Sequence, residues 1–176
     1  MSEITILRIN CSQKTATLGD IRVPCRIGRS GYTPKERGKE GDAKTPLGQY
    51  HLRWGFYRAD KLSAPPVSKT HPLNWIALDK ADGWCDEDGA PEYNRFIQRP
   101  STLSHEKLWR EDGAYDLILV ISHNDNPPIS GKGSAVFIHV AQPDDRETLG
   151  CIALAPEDFV KLLPHLQMDM AVDICA

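Results

Sequence analysis

The sequence predicts a mainly β protein with one or two short helices and long loops. Short runs in which apolar and polar residues alternate recur along the chain, as expected of strands that bury one face. Stretches rich in glycine and proline, with 13 of each residue in the chain, separate these runs. Only one segment, near the C-terminus, has apolar residues at helical spacing.

Length and charge limit the class of protein. The chain has 176 residues, the size of one ordinary domain, and shows no repeat, linker or second core, so we expect a single domain over residues 1–176. Its 21 Lys+Arg and 24 Asp+Glu give a net charge of -3. Proteins that bind nucleic acid or anionic lipid usually carry a basic surplus, so neither partner is expected. No apolar run approaches the ~18 residues of a membrane span.

The N-terminal third is predicted to contain strands followed by a loop. Residues 4–9, 15–18 and 21–27 alternate, with a tight turn at Gly19, which predicts two or three antiparallel strands. Residues 28–48 are rich in glycine and polar side chains and have no periodicity. We expect a long loop there, of the kind that is usually functional or disordered.

The middle of the chain has fewer regular elements. Residues 49–58 again alternate as a strand does. Residues 60–100 are rich in Pro, Gly and Asp, and only residues 74–78 look like a strand. Residues 101–110 predict a short helix with a serine as its cap. The continuous apolar run 115–122 predicts a strand buried on both faces.

Three short strands and one helix complete the prediction. The strands are residues 135–140, 150–154 and 170–175. The helix begins at Pro156, which is followed by two acidic residues, both typical of a helix N-terminus. It ends or kinks at Pro164, and its apolar face consists of Phe159, Leu162, Leu163 and Leu166.

A histidine and a cysteine stand at the ends of two predicted strands. His139 ends the strand 135–140 and Cys151 begins the strand 150–154. A cysteine nucleophile needs a nearby imidazole to hold it as the thiolate. Gly150 lets the backbone turn so that amide N–H groups face a developing oxyanion. The alternative is structural: Cys151 is a small buried hydrophobe and His139 a hydrogen-bonded core histidine.

These residues resemble the active-site signature of the YkuD-type L,D-transpeptidases. Ile138-His139 and Thr148-x-Gly-Cys151-Ile, with the helix after Ala155, are similar to the family's histidine and its Ser/Thr-His-Gly-Cys motif. Further motifs resemble a small single-domain subgroup: Gly28-Arg-Ser-Gly31, Glu40-Gly-Asp42, Thr45-Pro-Leu-Gly48, Tyr57-Arg58, Gly83-Trp-Cys-Asp86, Tyr93-Asn94, Leu108-Trp-Arg110, Tyr115-Asp116 and Gly131-Lys-Gly-Ser134. The resemblance covers the chain from about residue 28 to the C-terminus and implies a β-sandwich-type catalytic domain.

The resemblance implies a peptidoglycan enzyme that uses no cofactor. Cys151 would attack a peptide carbonyl of a stem peptide and form a thioester, while His139 takes and returns the proton. The backbone carbonyl of Val140 would orient the imidazole, and the N–H groups of Gly150 and Cys151 would bind the oxyanion. An amine of diaminopimelate on a second stem would then form the cross-link, of the L-Ala–diaminopimelate type in this subgroup. Carbapenems and other β-lactams are implied as inhibitors.

Two site positions and the N-terminus depart from the family pattern. Leu149 replaces the usual histidine, and Ala153 replaces the usual Arg or Asn. The family's substrate implies the periplasm or cell wall, whereas the N-terminus shows no recognisable signal peptide, which leaves a cytoplasmic chain as the alternative. If water resolves the thioester, the enzyme is an L,D-carboxypeptidase or endopeptidase. A non-catalytic wall-binding module is the alternative from another class.

Several polar residues are candidates for substrate binding. Those in the loop 28–48 would bind the zwitterionic diaminopimelate or simply solvate the loop. The acidic turn after Trp84 would attract an ammonium group or, equally, be solvated. The predicted substrate-binding residues are Arg29, Glu40, Asp42, Thr45, Trp84, Asp86, Asn124 and Thr148.

The remaining cysteines predict neither a disulfide framework nor a metal site. The five cysteines are scattered and form no CxxC pair. Cys85 is a rival nucleophile, but neighbouring carboxylates are expected to raise the pKa of its thiol. No pair among Cys85, His123, His139 and Cys151 has zinc-site spacing, so no metal is predicted. Arg110 and Asp116 are expected to form a structural ion pair.

Overall fold

The fold is mainly β, as the sequence predicts. A computed structural model of the chain describes residues 6–66, 72–98, 101–144 and 146–176. Its only α-helix within these residues is α1 (Pro156–Leu162), and 3₁₀ turns cover Lys35–Arg37 and Leu163–His165. The strands are β1 (Ile6–Asn10), β2 (Thr15–Leu18), β3 (Ile21–Pro24), β4 (Tyr32–Pro34), β5 (Thr45–Tyr57), β6 (Trp75–Ala77), β7 (Asp82–Cys85), β8 (Phe96–Gln98), β9 (His105–Lys107), β10 (Leu117–Ile121), β11 (Phe137–Val140), β12 (Ile152–Leu154) and β13 (Ala171–Cys175).

The long strand β5 joins the two halves of a ten-stranded sheet. Its first half pairs with β13, where Gly48 lies opposite Ile174, and its second half pairs with β10, where Tyr57 lies opposite Leu117. The strand order is β12-β11-β10-β5-β13-β1-β2-β3, and β4 and β6 also pair with β5. An antiparallel bridge between Arg26 and Ala153 connects the two ends of this order. The sheet therefore curves back on itself, like a sandwich.

Strand alternation divides the apolar side chains between two cores. One face of β10 contributes Leu117, Leu119 and Ile121 to a core that also contains residues of β1, β2, β12 and α1. The opposite face contributes Ile118 and Val120 to a second core. Because successive side chains of a strand point to opposite faces, β10 is buried on both sides, as its continuous apolar run predicts.

A three-stranded sheet covers the second core. Its order is β8-β7-β9, and all four residues of β7 are buried. Trp84 on β7 and Phe96 on β8 pack with Phe137 of β11 and Phe56 of β5. The three-stranded sheet thus covers the face of the main sheet on which Phe137 lies.

Most predicted strands are confirmed, and the middle of the chain holds the differences. The helix predicted over residues 101–110 is wrong: residues 105–107 form β9 because they pair with β7, with His105 opposite Cys85. The segment 28–48 is not all loop, since it contains β4, a 3₁₀ turn and the start of β5. Strands β7 and β8 lie in a segment for which no strand was predicted. Part of the first predicted strand, residues 4 and 5, lies outside the described residues.

The C-terminal helix ends where proline requires. α1 begins at Pro156, with Glu157 and Asp158 in its first turn. After Leu162 the chain continues as a 3₁₀ turn that contains Pro164. Proline has no backbone N–H to continue the α-helical hydrogen bonds, which explains this early end. Phe159, Leu162 and Leu166 pack in the first core as predicted.

Candidate active site

Cys151 and His139 lie on the same face of two neighbouring parallel strands. β11 and β12 run parallel, with His139 beside Ala153. Cys151 lies two residues before Ala153 and therefore faces the same side of the sheet, diagonally across from His139. Its side chain packs against the second core, which contains Phe137. The topology thus brings together the two residues that the sequence separates by a loop.

Thr148 and Gly150 shape the turn that presents Cys151. The hydroxyl of Thr148 donates to the carbonyl of Cys151 at 2.6 Å and accepts the N–H of Gly150 at 3.1 Å. The N–H of Gly150, one of the two predicted oxyanion donors, is therefore engaged within the turn. The N–H of Cys151 donates to no other described residue. Leu149, at the tip of the turn, is 71% exposed.

A buried threonine holds this turn against the first part of β5. The hydroxyl of Thr45 donates to the carbonyl of Gly150 at 2.9 Å and accepts the N–H of Gly28 at 2.9 Å. Thr45 is completely buried. A β-bridge between Gly28 and Thr148 adds a second connection. The substrate contact predicted for Thr45 stays a prediction, and the role seen in the structure is to position the turn.

The ring of His139 is fixed by its own strand and by an aromatic neighbour. Nδ1 lies 2.9 Å from the carbonyl oxygen of Val140, as the family resemblance implies. The ring of Tyr115 meets the imidazole edge-on, with centroids 5.2 Å apart. Since a carbonyl only accepts, Nδ1 carries the hydrogen of the neutral ring and the lone pair is on Nε2. Burial lowers the pKa of His139 to about 4.

The thiol of Cys151 is protonated in the resting protein. Sγ donates to the carbonyl of Ala135 at 3.1 Å and accepts the N–H of Phe137 at 3.3 Å. Burial raises the pKa of the thiol to about 12, with a further increase from the Glu106 carboxylate. A neutral thiol and a neutral imidazole therefore lie on the same face of the sheet, in place of the preformed thiolate that the sequence suggests. Attack by this sulfur on a carbonyl carbon would require transfer of the thiol proton to a base.

A charged network that the sequence analysis did not identify lies beside this pair. The hydroxyl of Tyr115 donates to Glu106, and Arg110 lies 3.7 Å from the same carboxylate. The guanidinium of Arg110 also lies over the ring of Tyr115, 5.0 Å from its centroid. These residues come from β9 and the segment before β10, so no local motif connects them to Cys151. Arg110 and Tyr115 lie in two of the motifs that resemble the subgroup, whereas only its spacing to Arg110 could have pointed to Glu106.

The predicted ion pair between Arg110 and Asp116 is wrong. Arg110 binds Asp112 through Nε at 3.1 Å. Asp116 instead accepts Lys61 at 2.7 Å. The segment between Arg110 and Asp116 turns at Gly113, where φ is +78°. The two side chains thus find separate partners.

The candidate substrate-binding residues of the segment 28–48 differ in whether their side chains already have hydrogen-bond partners. Arg29 is exposed, and its backbone N–H donates to the carbonyl of Thr148 at 2.9 Å. Glu40 accepts the hydroxyl of Tyr93 at 2.6 Å. Asp42 accepts the backbone N–H groups of residues 39 and 44 at 3.0 and 2.9 Å, so its carboxylate shapes the loop. The substrate contacts predicted for these residues stay predictions.

The other candidates also have structural partners. Trp84 is buried and donates its indole N–H to Asn94 at 2.8 Å. Asn124 uses its amide to bind the carbonyls of Ile129 and Gly133, which closes the loop after β10. Asp86 is partly exposed, yet its Oδ1 is buried without a hydrogen-bond partner among the described residues. The substrate contact predicted for Asp86 stays a prediction.

Two cavities of about 350 and 360 Å³ lie near the end of β10. The first lies between Trp54, Trp84 and Phe137, and both are lined by His123. Neither is lined by Cys151 or His139. Burial lowers the pKa of His123 to about 4.

Cys85 is buried, and the pKa of its thiol is raised, first by burial and then by nearby carboxylates, as predicted. Among the described residues no group of three or more His, Cys, Asp or Glu side chains is arranged to hold a metal ion. In the same part of the chain, no helix has the length and apolar character of a membrane span.

Comparison with solved structures gives similar chains of low sequence identity. L,D-transpeptidase 1 of Mycobacterium tuberculosis is 13% identical, with a TM-score of 0.45 over 99% of this chain and 60% of that one. L,D-transpeptidase 3 of the same organism, in complex with a faropenem-derived adduct, is 13% identical, with a TM-score of 0.45 over 98% and 60%. The helical cell shape determining protein Pgp2 of Campylobacter jejuni is 16% identical, with a TM-score of 0.48 over 97% and 47%. This chain thus spans about half to three fifths of each.

Comparison with sequence families is more specific. No curated protein matches the chain. The family model that describes the YkuD L,D-transpeptidase catalytic domain, however, matches residues 9–174. This match includes both strand ends that carry the cysteine and the histidine, and nearly all of the two cores. The chain belongs to the YkuD family of L,D-transpeptidase catalytic domains.

Proposed function

We propose that the protein is a cysteine L,D-transpeptidase that cross-links peptidoglycan stem peptides through a thioester on Cys151. The observation that carries this proposal is the placement of Cys151 and His139 on one face of parallel neighbouring strands. The bond between Nδ1 of His139 and Val140 leaves Nε2 as the proton acceptor. Family membership supplies the substrate class.

The first half-reaction transfers the acyl group to sulfur. Sγ of Cys151 forms a bond to a peptide carbonyl carbon, and Nε2 of His139 takes the thiol proton. Negative charge on the former carbonyl oxygen is stabilised by the N–H of Cys151. The C–N bond then breaks, and the imidazolium returns its proton to the leaving amine. The products are a thioester and a free amine.

The second half-reaction determines the class of product. A diaminopimelate amine of another stem attacks the thioester, gives up a proton and restores the thiol. The cross-link formed is proposed to be of the L-Ala–diaminopimelate type. This substrate places the enzyme at the cell wall. Water in place of the amine would give an L,D-carboxypeptidase or endopeptidase.

Incubation with purified muropeptides, followed by mass spectrometry of the products, tests the proposal. We expect cross-linked dimers with the natural protein and none with Cys151→Ala. The matched control is Cys175→Ala, which removes a partly exposed thiol at the end of β13 and should leave activity unchanged. If the only products are shortened monomers, the enzyme hydrolyses the thioester and does not transfer the acyl group to an amine. Equal processing by Cys151→Ala would overturn the cysteine chemistry and favour a wall-binding module.

A further inference from the structure

The charged network beside Cys151 is connected to the imidazole by contacts at both ends of a short segment. At one end Tyr115 binds Glu106 through its hydroxyl and packs against His139 through its ring. At the other end Asp112 accepts the backbone N–H of Ala114 at 3.1 Å. The carbonyl of Ala114 in turn accepts the N–H of Val140 at 3.0 Å. The segment therefore holds the imidazole and the carbonyl that orients it.

The network carries opposite charges close to a pair that must exchange a proton. Glu106 and Arg110 lie 3.7 Å apart, and their side chains are 31% and 37% exposed. Tyr115 lies between this pair and His139 and is almost completely buried. Charges in a partly buried setting are screened less than at an open surface. The side chains of Tyr115 and Cys151 pack in the same apolar core, so this network borders the core that contains the thiol.

We propose that Glu106 and Arg110 are positioning residues that, joined through Tyr115 to His139, control how readily Cys151 releases its proton. The inference rests on the proposed role of Cys151 as nucleophile. Glu106 opposes the thiolate because like charges repel, whereas Arg110 favours it. Burial keeps the thiol protonated, and the two charges change in opposite directions how readily it ionises.

The effects on pKa agree with this arrangement. Glu106 contributes to the raised pKa of the Cys151 thiol, and Arg110 acts to lower it. Arg110 also helps to lower the pKa of His139, while Asp112 acts in the opposite direction. Burial raises the pKa of Glu106 itself, with contributions in the same direction from Asp86 and Glu40 and opposing ones from Tyr115 and Arg110.

Alkylation of Cys151 by iodoacetamide tests the proposal without any peptidoglycan substrate. The rate at fixed pH follows the thiolate fraction. Glu106→Gln keeps a hydrogen-bond acceptor for Tyr115 but removes the charge. We expect it to accelerate alkylation at pH 8.5 about 3- to 10-fold, because one pKa unit is a tenfold change. Arg110→Gln should slow it by a similar factor, and Arg110→Lys should restore most of the natural rate.

Two controls separate a local effect from a general one. Glu111→Gln removes the same charge from the same segment, but this side chain is 82% exposed and should change the rate less than about twofold. Cys175 in each variant, followed by peptide mass spectrometry, reports whether the whole fold has loosened. Equal effects of Glu106→Gln and Glu111→Gln, or no effect of Glu106→Gln, would overturn the proposal.

Tyr115→Phe tests whether the tyrosine connects Glu106 to His139. It keeps the ring against His139 and removes the hydroxyl bond to Glu106. In the natural background it should change the alkylation rate in the direction of Glu106→Gln, since Tyr115 favours the charged carboxylate. In the Glu106→Gln background it should add less than about twofold. Independent effects in the two backgrounds would contradict the connection. The two proposals can fail separately. If Glu106→Gln changes the alkylation rate as expected but the natural protein does not cross-link muropeptides, only the proposed function is overturned.

Discussion

The hydroxyl hydrogen of Thr45 is donated to the carbonyl oxygen of Gly150 across a distance of 2.9 Å. The two residues are 105 positions apart in sequence, and Gly150 directly precedes the candidate nucleophile. Because the same hydroxyl accepts the N–H of Gly28, one buried side chain joins three backbone segments at the site. The turn before Cys151 therefore depends on a residue of β5.

We expect Thr45→Val to destabilise the protein and to reduce turnover. Valine has nearly the same shape but leaves the Gly150 carbonyl and the Gly28 N–H buried without their partner. An unsatisfied buried polar group costs about 1–3 kcal/mol. Urea unfolding measures the loss of stability, and product formation from muropeptides measures the loss of activity. Thr45→Ser retains the hydroxyl and is the control; if it loses as much as Thr45→Val, the hydrogen bonds do not hold the turn.

Substitution of Gly150 tests the conformation of the same turn. Its φ is +135°, and a Cβ atom there would lie 3.0 Å from the carbonyl oxygen of Lys44. We expect Gly150→Ala to cost about 1–3 kcal/mol of stability through backbone strain and to impair turnover. Gly19→Ala, in the turn between β2 and β3, also has a positive φ but open space for a Cβ. It should lower stability without affecting the activity per folded molecule. A fully active Gly150→Ala would contradict the proposed geometry of the turn.

The buried imidazole predicts a loss of stability in mild acid. The pKa of His139 is lowered from 6.5 to about 4. Between these values the unfolded chain binds a proton that the folded protein does not, so the free energy of unfolding decreases as the pH decreases. One such group contributes a slope of up to about 1.4 kcal/mol per pH unit. His123 is buried with a similarly lowered pKa and contributes in the same direction.

Denaturant unfolding at several pH values between 6.5 and 4.5 measures this slope. His139→Gln should reduce this slope relative to the natural protein. If His139→Gln leaves the slope unchanged, the imidazole is already charged in the folded protein.

Removal of the imidazole also tests its role as base. His139→Ala should lower the rate of acyl transfer by about 10²–10⁴-fold, the range for a positioned acid–base group. The measurement is kcat/KM for muropeptide turnover, with folding checked by circular dichroism. A loss of less than tenfold would mean that another group accepts the thiol proton.

Local sequence patterns predicted the strands that carry a strand-like pattern of apolar residues. They failed for strands that form only because they pair with residues distant in the sequence. Alternation identified β1 to β3, and a continuous apolar run identified β10. Strand β9 carries the sequence His-Glu-Lys, which has no strand pattern; it is extended because His105 pairs with Cys85. A serine cap and the spacing of Glu106 and Arg110 favour a helix locally, but the pairing of β9 with β7 overrides this preference.

The residues of the candidate site also differ in how far the sequence predicts them. Cys151, His139 and Val140 are close in sequence, and the family signature points to them together. Thr45 and Glu106 take part only because β5 and β9 are brought to the same place by long-range pairing. Asn94 is similar: its side chain accepts hydrogen bonds from the N–H groups of Trp84 and Ala135 and donates one to the carbonyl of His123 after β10. The Tyr93-Asn94 motif does not predict these distant partners.

The most direct test of the account is to locate the acyl group during turnover. The protein is mixed with a disaccharide tetrapeptide, quenched in acid within the first turnover and digested, and the modified peptide is identified by mass spectrometry. We predict a thioester on Cys151, absent from Cys151→Ser, which should also lack turnover because a serine hydroxyl is barely ionised at neutral pH. An acyl group on any other residue, or full turnover by Cys151→Ser, would contradict the account.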